Sequence, residues 1–527
     1  MCHHNDHNND HYTLPKVDGT NRSSSTIRMR IVANILVFLI HYQWIFNYIG
    51  IIIGLAMLLL LITIPLHENI PIPVNTLSVI CTITVLLLIL RATVSRYCSP
   101  PFIGEPHVLC IDHAQFDPPS SWKVSHDDIL TIARAQGCYT EDSIHFMSRL
   151  LHKSGTSASR STAYPPAVVK SITTNTPADA SAANTREEAR EVIITTVKKL
   201  LKATNIHPKS IDYVIVNCTM YTPVPSHAAM IVNELDMRSD VITYNISGMG
   251  CSAGIISIDL ARRLLRESPG RALVVSAEIL TRCFYRGNDR EPLMGNTLFR
   301  CGGSAALLTS LPQDYAKAKY KLLHCIRTQV IGKESFESII ETDDSSKKIV
   351  TLRLQKSIIK VAGMAIQHNL TKLAPLILPY REVFKVLWSM LKVKCLKWWS
   401  KNTNDTTTTA ATIKMYVPDL RKGVDHWCIH TGGRGVLDAV QSNLKLSDYD
   451  IAPSRNILYE RGNTSSSSIW YELAWAQRDG RIKRGDRILQ MAFGSGFKCN
   501  SCIWVALHDI IIDKTHDKTS PTASEEA

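Results

Sequence analysis

The stretch "YNISGMGCSAGIISIDLARRLL", Tyr244 to Leu265, passes from a β-branched segment through a glycine-rich turn into a long apolar-periodic run. That order predicts strand, tight turn and helix, with Cys251 at the mouth of the helix. The N–H groups at a helix start carry about half a positive charge. A thiol placed there is expected to have a lowered pKa and to act as a nucleophile at neutral pH. A buried structural cysteine in a tight turn is the other reading of the fragment.

On either side the same rhythm repeats. "HVLCIDHAQF", "IDYVIVNCT", "DVITYNIS", "RALVVSAEI" and "CGGSAALLTS" read as short buried strands. Amphipathic runs such as "TREEAREVIITTVKKLLKAT" lie between them, and the alternation argues a layered α/β fold. A second set follows in "YKLLHCIRTQVI", "KKIVTLRLQ", "DHWCIHTGG", "RNILYERGN" and "DRILQMAFGSG" with "SCIWVALHD". Two sets of similar rhythm suggest two duplicated α/β halves, at residues 96–315 and 316–512.

The chain has 527 residues, 45% of them hydrophobic and 20% charged, with a formal net charge of +13. Such a charge suits a phospholipid surface, a phosphorylated ligand or nucleic acid. No zinc-finger spacing, RNP-like aromatic run or basic helical stripe is present, so nucleic acid is not expected as a partner. The 14 cysteines follow no framework spacing and read as reduced thiols. Cys499 and Cys502 form a lone C-x-x-C within an apparent strand, with no second pair to complete a metal site. His3, His4, His7 and His11 stand in a polar N-terminal tail, residues 1–30, that reads as disordered. No metal is expected, and residues 513–527 read as a second disordered tail.

Residues 31–95 read as a membrane region. "YIGIIIGLAMLLLLITIPL" (Tyr48–Leu66) and "NTLSVICTITVLLLIL" (Asn75–Leu90) contain no charged residue. With its flank the second reaches residue 94, and each is then long enough to span a bilayer. Lys16, Arg22, Arg28 and Arg30 precede the pair and Arg91 and Arg96 follow it, whereas the turn between carries Glu68 and no Lys or Arg. A hairpin with both ends in the cytosol is expected. Ile31–Phe46 either lies along the interface or extends the first span. Farther on, residues 377–400 mix Trp388, Trp398 and Trp399 with Lys392, Lys394 and Lys397 at roughly helical spacing, as in a membrane-surface helix or a packing helix with a snorkelling face.

Three more motifs bear on Cys251. "DHWCIHTGGRGVLDAV" puts His426 and His430 on a strand, with Gly432 and Gly433 opening a helix. "ERGNTSSSSIWYELAWAQ" puts Asn463 at an expected strand-to-helix turn. "QMAFGSGFKCN" supplies a glycine-rich loop, Gly494, Ser495 and Gly496, whose N–H groups can approach a substrate oxygen. Together these are a thiol, an imidazole, a carboxamide and an oxyanion-hole loop.

With these motifs the sequence resembles the plant 3-ketoacyl-CoA synthases, the condensing enzymes of very-long-chain fatty acid elongation, within the thiolase-like superfamily. The resemblance rests on "GMGCSAGIISIDLA", "GNDREPLMGNTLFRCGGSAALLTS", "HWCIHTGGRGVLD", "GNTSSSSIWYELAW" and "GRIKRGDRILQMAFGSGFKCNS", in order from about residue 95 to 510. It implies a thiolase-like fold behind a transmembrane hairpin, at the endoplasmic reticulum membrane with the catalytic part facing the cytosol. It further implies that Cys251 takes the acyl group of a long-chain acyl-CoA. His430 and Asn463 would then stabilise the enolate of decarboxylating malonyl-CoA, with His426 in support. The N–H groups around Gly250, Cys251 and the Gly494–Gly496 loop would form the oxyanion hole. No cofactor is implied. Expected partners are the bilayer, a second copy in a homodimer, and the ketoacyl-CoA reductase, hydroxyacyl-CoA dehydratase and enoyl-CoA reductase of the cycle. Two histidines usual in the family are replaced, by Gln329 and Tyr459. A catalytically weak or inactive elongase subunit, acting as a scaffold or modulator, is the alternative that draws on those departures. Chain length would be set by a tunnel near the membrane segments and residues 377–400.

Overall fold

The computed structural model describes residues 107–345, 349–403 and 416–510. The N-terminal tail, the apolar runs of 31–95 and the C-terminal tail lie outside the described residues.

The first set of strands comprises β1 (Leu109–Gln115), β2 (Lys123–Val124), β3 (Thr162–Ala163), β4 (Tyr213–Asn217), β5 (Ile242–Ile246), β6 (Arg271–Glu278) and β7 (Gly302–Thr309). The second comprises β8 (Tyr320–Gln329), β9 (Ile339–Asp343), β10 (Val350–Leu354), β11 (His426–Ile429), β12 (Arg487–Gly494) and β13 (Lys498–Ala506). Nine of them form one mixed sheet in the order β11-β12-β13-β8-β1-β7-β6-β4-β5.

From the centre outward the halves repeat each other. β1 is followed by antiparallel β7 and β6 and then parallel β4. β8 is followed by antiparallel β13 and β12 and then parallel β11. The halves meet through antiparallel pairing of Leu109 with Lys321 and Cys110 with Tyr320.

Helices at Ala253–Glu267 and Ser468–Arg478 each pack against strands of both halves. Their apolar faces, Ile255, Ile258, Ile469, Trp470 and Leu473, form one buried cluster with Val274, Leu308, Ile488 and Trp504. The helix Ala182–Thr204 covers the opposite side of the first half through Val192, Ile193 and Val197. The helix Ile358–Ile377 does the same for the second half with Leu370 and Leu373 against Leu489 and Ile503. This is helix, half-sheet, helix pair, half-sheet, helix: the layering follows from period-2 strands presenting two apolar faces that both need cover.

Three local expectations are corrected. "RNILYERGN" is not a strand but the end of a helix, Asp448–Arg461. Ser447 and Asp450 form a capping box at its start, and Ile451, Ser454, Ile457 and Leu458 bury one face at helical spacing. The short run "NILY" mimics a strand because its helix partners lie upstream. Among the described residues the second half therefore has no counterpart of β5. "DVITYNIS" is a strand but not a buried one: β5 is the sheet's outer edge, with Ile242 47% and Tyr244 37% exposed. "KKIVTLRLQ" contributes β10 to a separate two-stranded sheet with β9.

Candidate functional site

The two central helices both begin with a 3-10 turn, Gly250–Ser252 in the first half and Ser465–Ser467 in the second. The two turns are neighbours. Gly254 lies so close to the second turn that a Cβ there would sit 2.6 Å from the Ser466 carbonyl oxygen. The site is built where these helix starts meet the ends of β11 and β12.

Cys251 stands in the first turn. Gly250 before it has φ +64°, and a Cβ there would lie 2.5 Å from the Ser495 nitrogen. A Cβ on Gly494 would lie 2.7 Å from the Cys251 nitrogen. Glycine at both places lets the β12–β13 loop press its backbone against that of the cysteine. Outside the loop, Gln329 donates to the Gly496 carbonyl at 2.8 Å and Lys498 to the Ser495 carbonyl at 2.8 Å. Gln329 thus braces the glycine loop.

Ser465 is the hub. Its hydroxyl donates to Cys251 Sγ at 3.3 Å, and its N–H donates to Asn463 Oδ1 at 2.8 Å. Its backbone also contacts His430. Ser465 has φ +56°, a costly conformation for a non-glycine residue that functional sites tend to retain. With Oδ1 occupied, the Asn463 amide offers its NH2 as donor. Asn463 is held by a bridge to Phe299, and its carbonyl accepts from the Arg300 N–H at 2.9 Å. It follows the Asp448–Arg461 helix, so the turn is helix to helix rather than strand to helix.

His430 directly follows β11 and is 2% exposed. Its Nδ1 lies 2.8 Å from Ser468 Oγ, and its ring meets Phe493 edge-on at 5.4 Å. His426 is elsewhere: it opens β11, about 13 Å away along the strand by the rise per residue. Its Nε2 contacts Asp486 Oδ2 at 2.8 Å, and the residue is 6% exposed. The structure brings together Cys251, His430, Asn463, Gly250 and the Gly494–Gly496 loop, and leaves His426 outside that group.

The expected lowering of the Cys251 pKa is reversed. Burial is the largest cause and pushes the thiol from 9.0 up to about 12, with the Ser465 hydrogen bond pulling the other way and Glu278 adding to the rise. That rise is worth ~4 kcal/mol, whereas a helix end contributes at most about 2 kcal/mol. Burial also takes His430 down to about 3. The resting pair is therefore a neutral thiol and a neutral imidazole.

Two acidic residues in the site have no counterpart among the sequence expectations. Glu278, at the end of β6, accepts from the Met220 N–H at 2.7 Å and interacts with Ser465. Burial raises its carboxyl to about 7. Glu472 lies on the central helix behind His430 and is fully buried. The signal for both was a lone acid on an otherwise apolar strand or helix face.

Beside the site Tyr164, Met220, Leu280, Cys283, Phe284 and Phe299 line an apolar cavity. None of the described residues of 377–400 lines it. Its free volume is about 30 Å³, the share of one water in the liquid. Cys499 and Cys502 point to opposite faces of β13 because their spacing is odd. Cys502 Sγ lies 3.3 Å from Cys325 Sγ instead. Among the described residues no three His, Cys, Asp or Glu side chains are arranged to hold a metal.

Comparison with known proteins agrees with this architecture. The family model described as FAE1/Type III polyketide synthase-like protein matches residues 104–395, and that of the 3-oxoacyl-[acyl-carrier-protein] synthase III C-terminal region matches 421–506. The chain is 39% identical over 422 residues to 3-ketoacyl-CoA synthase 2 of Arabidopsis thaliana, covering 79% of this chain and 76% of the relative. It is 40% identical over 406 residues to probable 3-ketoacyl-CoA synthase 20 of Oryza sativa subsp. japonica, covering 76% and 74%. Among solved structures, a polyketide synthase of the brown alga Ectocarpus siliculosus superposes with TM-score 0.58 at 16% identity, over 76% of this chain and 98% of that one. A type III pentaketide synthase from Neurospora crassa gives 0.56 at 17%, over 76% and 99%. At such identities these two speak for the fold alone, and the fold is thiolase-like.

Proposed function

From the premise that the chain belongs to the 3-ketoacyl-CoA synthase family, we propose that it joins malonyl-CoA to a long-chain acyl-CoA by decarboxylative Claisen condensation. It is an acyltransferase of very-long-chain fatty acid elongation. The observation that carries the chemistry is the convergence of Cys251, His430 and Asn463 on Ser465.

In the first half-reaction Cys251 attacks the acyl-CoA thioester and CoA leaves. The thiol must give up its proton, and Ser465 stabilises the sulfur that results. Glu278, whose charge is felt at the thiol and whose carboxyl lies near 7, is suited to holding a proton at neutral pH. On this reading the backbone N–H groups of Cys251 and of the Ser495–Gly496 loop are the donors for the developing oxyanion. The acyl chain would enter the apolar cavity between Leu280 and Phe299. A long chain needs those side chains to part.

In the second half-reaction malonyl-CoA loses carbon dioxide, which leaves a carbanion without removal of a proton by a base. Neutral His430 and the Asn463 NH2 serve as donors to the enolate oxygen. The carbanion attacks the acyl-Cys251 thioester, giving 3-oxoacyl-CoA two carbons longer. The reading uses no metal or cofactor. His426, paired with Asp486, acts as a support for β11.

On the same reading the protein sits at the endoplasmic reticulum membrane through the hairpin of residues 31–95, with the catalytic part on the cytosolic side. Support comes from the charge-free runs and their basic flanks. Further support comes from the helix Tyr380–Thr403, where Tyr380, Phe384, Leu387 and Trp388 are exposed along one stripe and Lys392 lies over the Trp388 ring. Among the described residues the outer edge of β5 has no neighbouring strand, which suits a second copy of the chain, since an exposed strand edge is a template for pairing. Product would pass to a ketoacyl-CoA reductase, then a dehydratase and an enoyl-CoA reductase.

The test is membranes bearing the chain or its Cys251→Ser variant, given labelled malonyl-CoA and a series of acyl-CoAs. Two-carbon extension by the parent alone is expected. Equal activity of parent and variant would sink the reading.

A further inference from the structure

The apolar cavity beside the site, lined by Met220, Leu280, Phe284, Tyr285 and Phe299, is closed on one side by Thr351 and Leu352 of β10. Its free volume is about 30 Å³, room for a water rather than for a long acyl chain. Some part of the lining has to give way. Most of it belongs to the packed interior, which yields poorly. Met220 follows β4, Leu280 follows β6 and Phe299 leads into β7, three neighbouring strands of the nine-stranded sheet.

β10 differs from these. Among the described residues it pairs with β9 and with no other strand, so this wall is a two-stranded sheet standing apart from the main one. At its base the Gln355 N–H donates to the Ser338 carbonyl at 2.9 Å. At its tip the Asp344 N–H donates to the Ile349 carbonyl at 2.9 Å, and Asp344 Oδ1 accepts from the Ile349 N–H at 3.1 Å.

The tip is clasped from outside by residues 285–291, which run into the helix Arg290–Leu298. Tyr285 Oη donates to Asp344 Oδ2 at 3.1 Å and accepts from the Asp289 N–H at 3.1 Å. The Asp289 carboxylate accepts from the Ser345 N–H at 2.8 Å and from its hydroxyl at 2.6 Å. Glu291 lies 3.7 Å from Arg353, an exposed pair that adds little. Tyr285 and Asp344 are both buried. Tyr285 thus lines the cavity and also holds the tip of its wall.

We propose that β9 and β10 form the yielding wall of the acyl cavity and that Tyr285 and Asp344 are specificity-determining residues, their hydrogen bond limiting how far the wall swings on its base and thereby the longest acyl chain extended. The proposal rests on the reading of the cavity as the acyl site. A chain that outgrows the cavity presses on Thr351 and Leu352, whereas a shorter one leaves the clasp shut. The cost of parting the clasp falls on the longest substrates, so weakening it favours those over shorter ones.

The test uses membranes bearing the full-length chain, its Tyr285→Phe variant, which loses only the clasping hydroxyl, and Asp344→Ala. Each receives labelled malonyl-CoA and a graded series of saturated acyl-CoAs. Extension of the longest acyl-CoA the parent accepts is compared with extension of one several carbons shorter. That ratio should rise about fivefold in both variants, the weight of one hydrogen bond. A merely structural role would lower extension by one factor at every length. An unchanged or lower ratio in Tyr285→Phe overturns the proposal; if Asp344→Ala does not fold, Ser345→Ala replaces it and should move the ratio the same way by less. Independently, amide hydrogen exchange of the detergent-purified protein should be faster in Tyr285→Phe than in the parent at β9 and β10 and equal at β6 and β7. Parental exchange at β9 and β10 overturns the clasp. A parent that extends no acyl-CoA counts against the functional reading alone, because exchange still reports whether the clasp restrains the wall.

Discussion

The Ser465 hydroxyl donates to Cys251 Sγ across 3.3 Å, and this bond joins the starts of the two central helices. It is a side-chain contact by which the second half of the fold acts on the nucleophile of the first, beside the backbone contact of the Gly494–Ser495 loop. A hydrogen bond to sulfur favours the thiolate, so removing it should make the thiol harder to ionise. Ser465→Ala is expected to slow acylation about tenfold, the equivalent of a hydrogen bond of about 1.4 kcal/mol. The rate of Cys251 alkylation against pH should move to higher pH in the variant. An unchanged profile would remove Ser465 from thiol activation.

Glu278 ties pH to stability. Its carboxyl is raised by burial from 4.5 to about 7 in the folded chain. The folded state therefore binds this proton more tightly than the unfolded one. The stabilisation from that proton is fully present below pH 4.5 and is lost as pH rises through 7. Glu278→Gln should remove a cost of about 3 kcal/mol above pH 7. Thermal unfolding at about pH 5 and about pH 8 checks this: the variant should gain on the parent more at the higher pH. Equal gains at both would show that Glu278 does not titrate with folding.

Gly250 is a backbone requirement. With φ +64° and the Ser495 nitrogen 2.5 Å from the place a Cβ would take, Gly250→Ala must displace the β12–β13 loop or the Cys251 turn. A displacement of about 1 Å at a reacting atom is worth about 100-fold in rate. Extension activity should fall by roughly that factor while the circular dichroism spectrum stays parental. Full activity would mean the loop is not an oxyanion hole.

His426 should separate cleanly from His430. Its contact with Asp486 ties the start of β11 to the residue before β12. His426→Gln is expected to cost about 1–2 kcal/mol in denaturant unfolding, with kcat of the folded fraction within about threefold. A collapse of kcat without loss of stability would return His426 to the reaction.

Cys251 with its glycine turn, His430 at a strand end and the Gly494–Gly496 loop were legible in the sequence because each is a short-range pattern, whereas the turn at Asn463 was expected after a strand and stands between two helices. The alternation of strands and helices was legible as well, since period-2 and period-3.6 apolar spacing is written locally. The error at "RNILYERGN" arose where three consecutive apolar letters fit both periods. The error at β5 arose because a strand's own pattern does not say whether another strand will lie beside it.

What only the tertiary structure decided is everything that depends on two distant segments meeting. Ser465 matters because the two halves bring their helix starts together, 214 residues apart in the chain. The thiol and imidazole rest neutral because burial, a property of the packed core, outweighs the helix end that the local sequence supplies. His426 and His430 look equivalent in "HWCIH", yet a strand carries them about 13 Å apart, one to a structural carboxylate and the other to the site. Glu472 reads as an ordinary helix acid until the fold buries it behind the histidine.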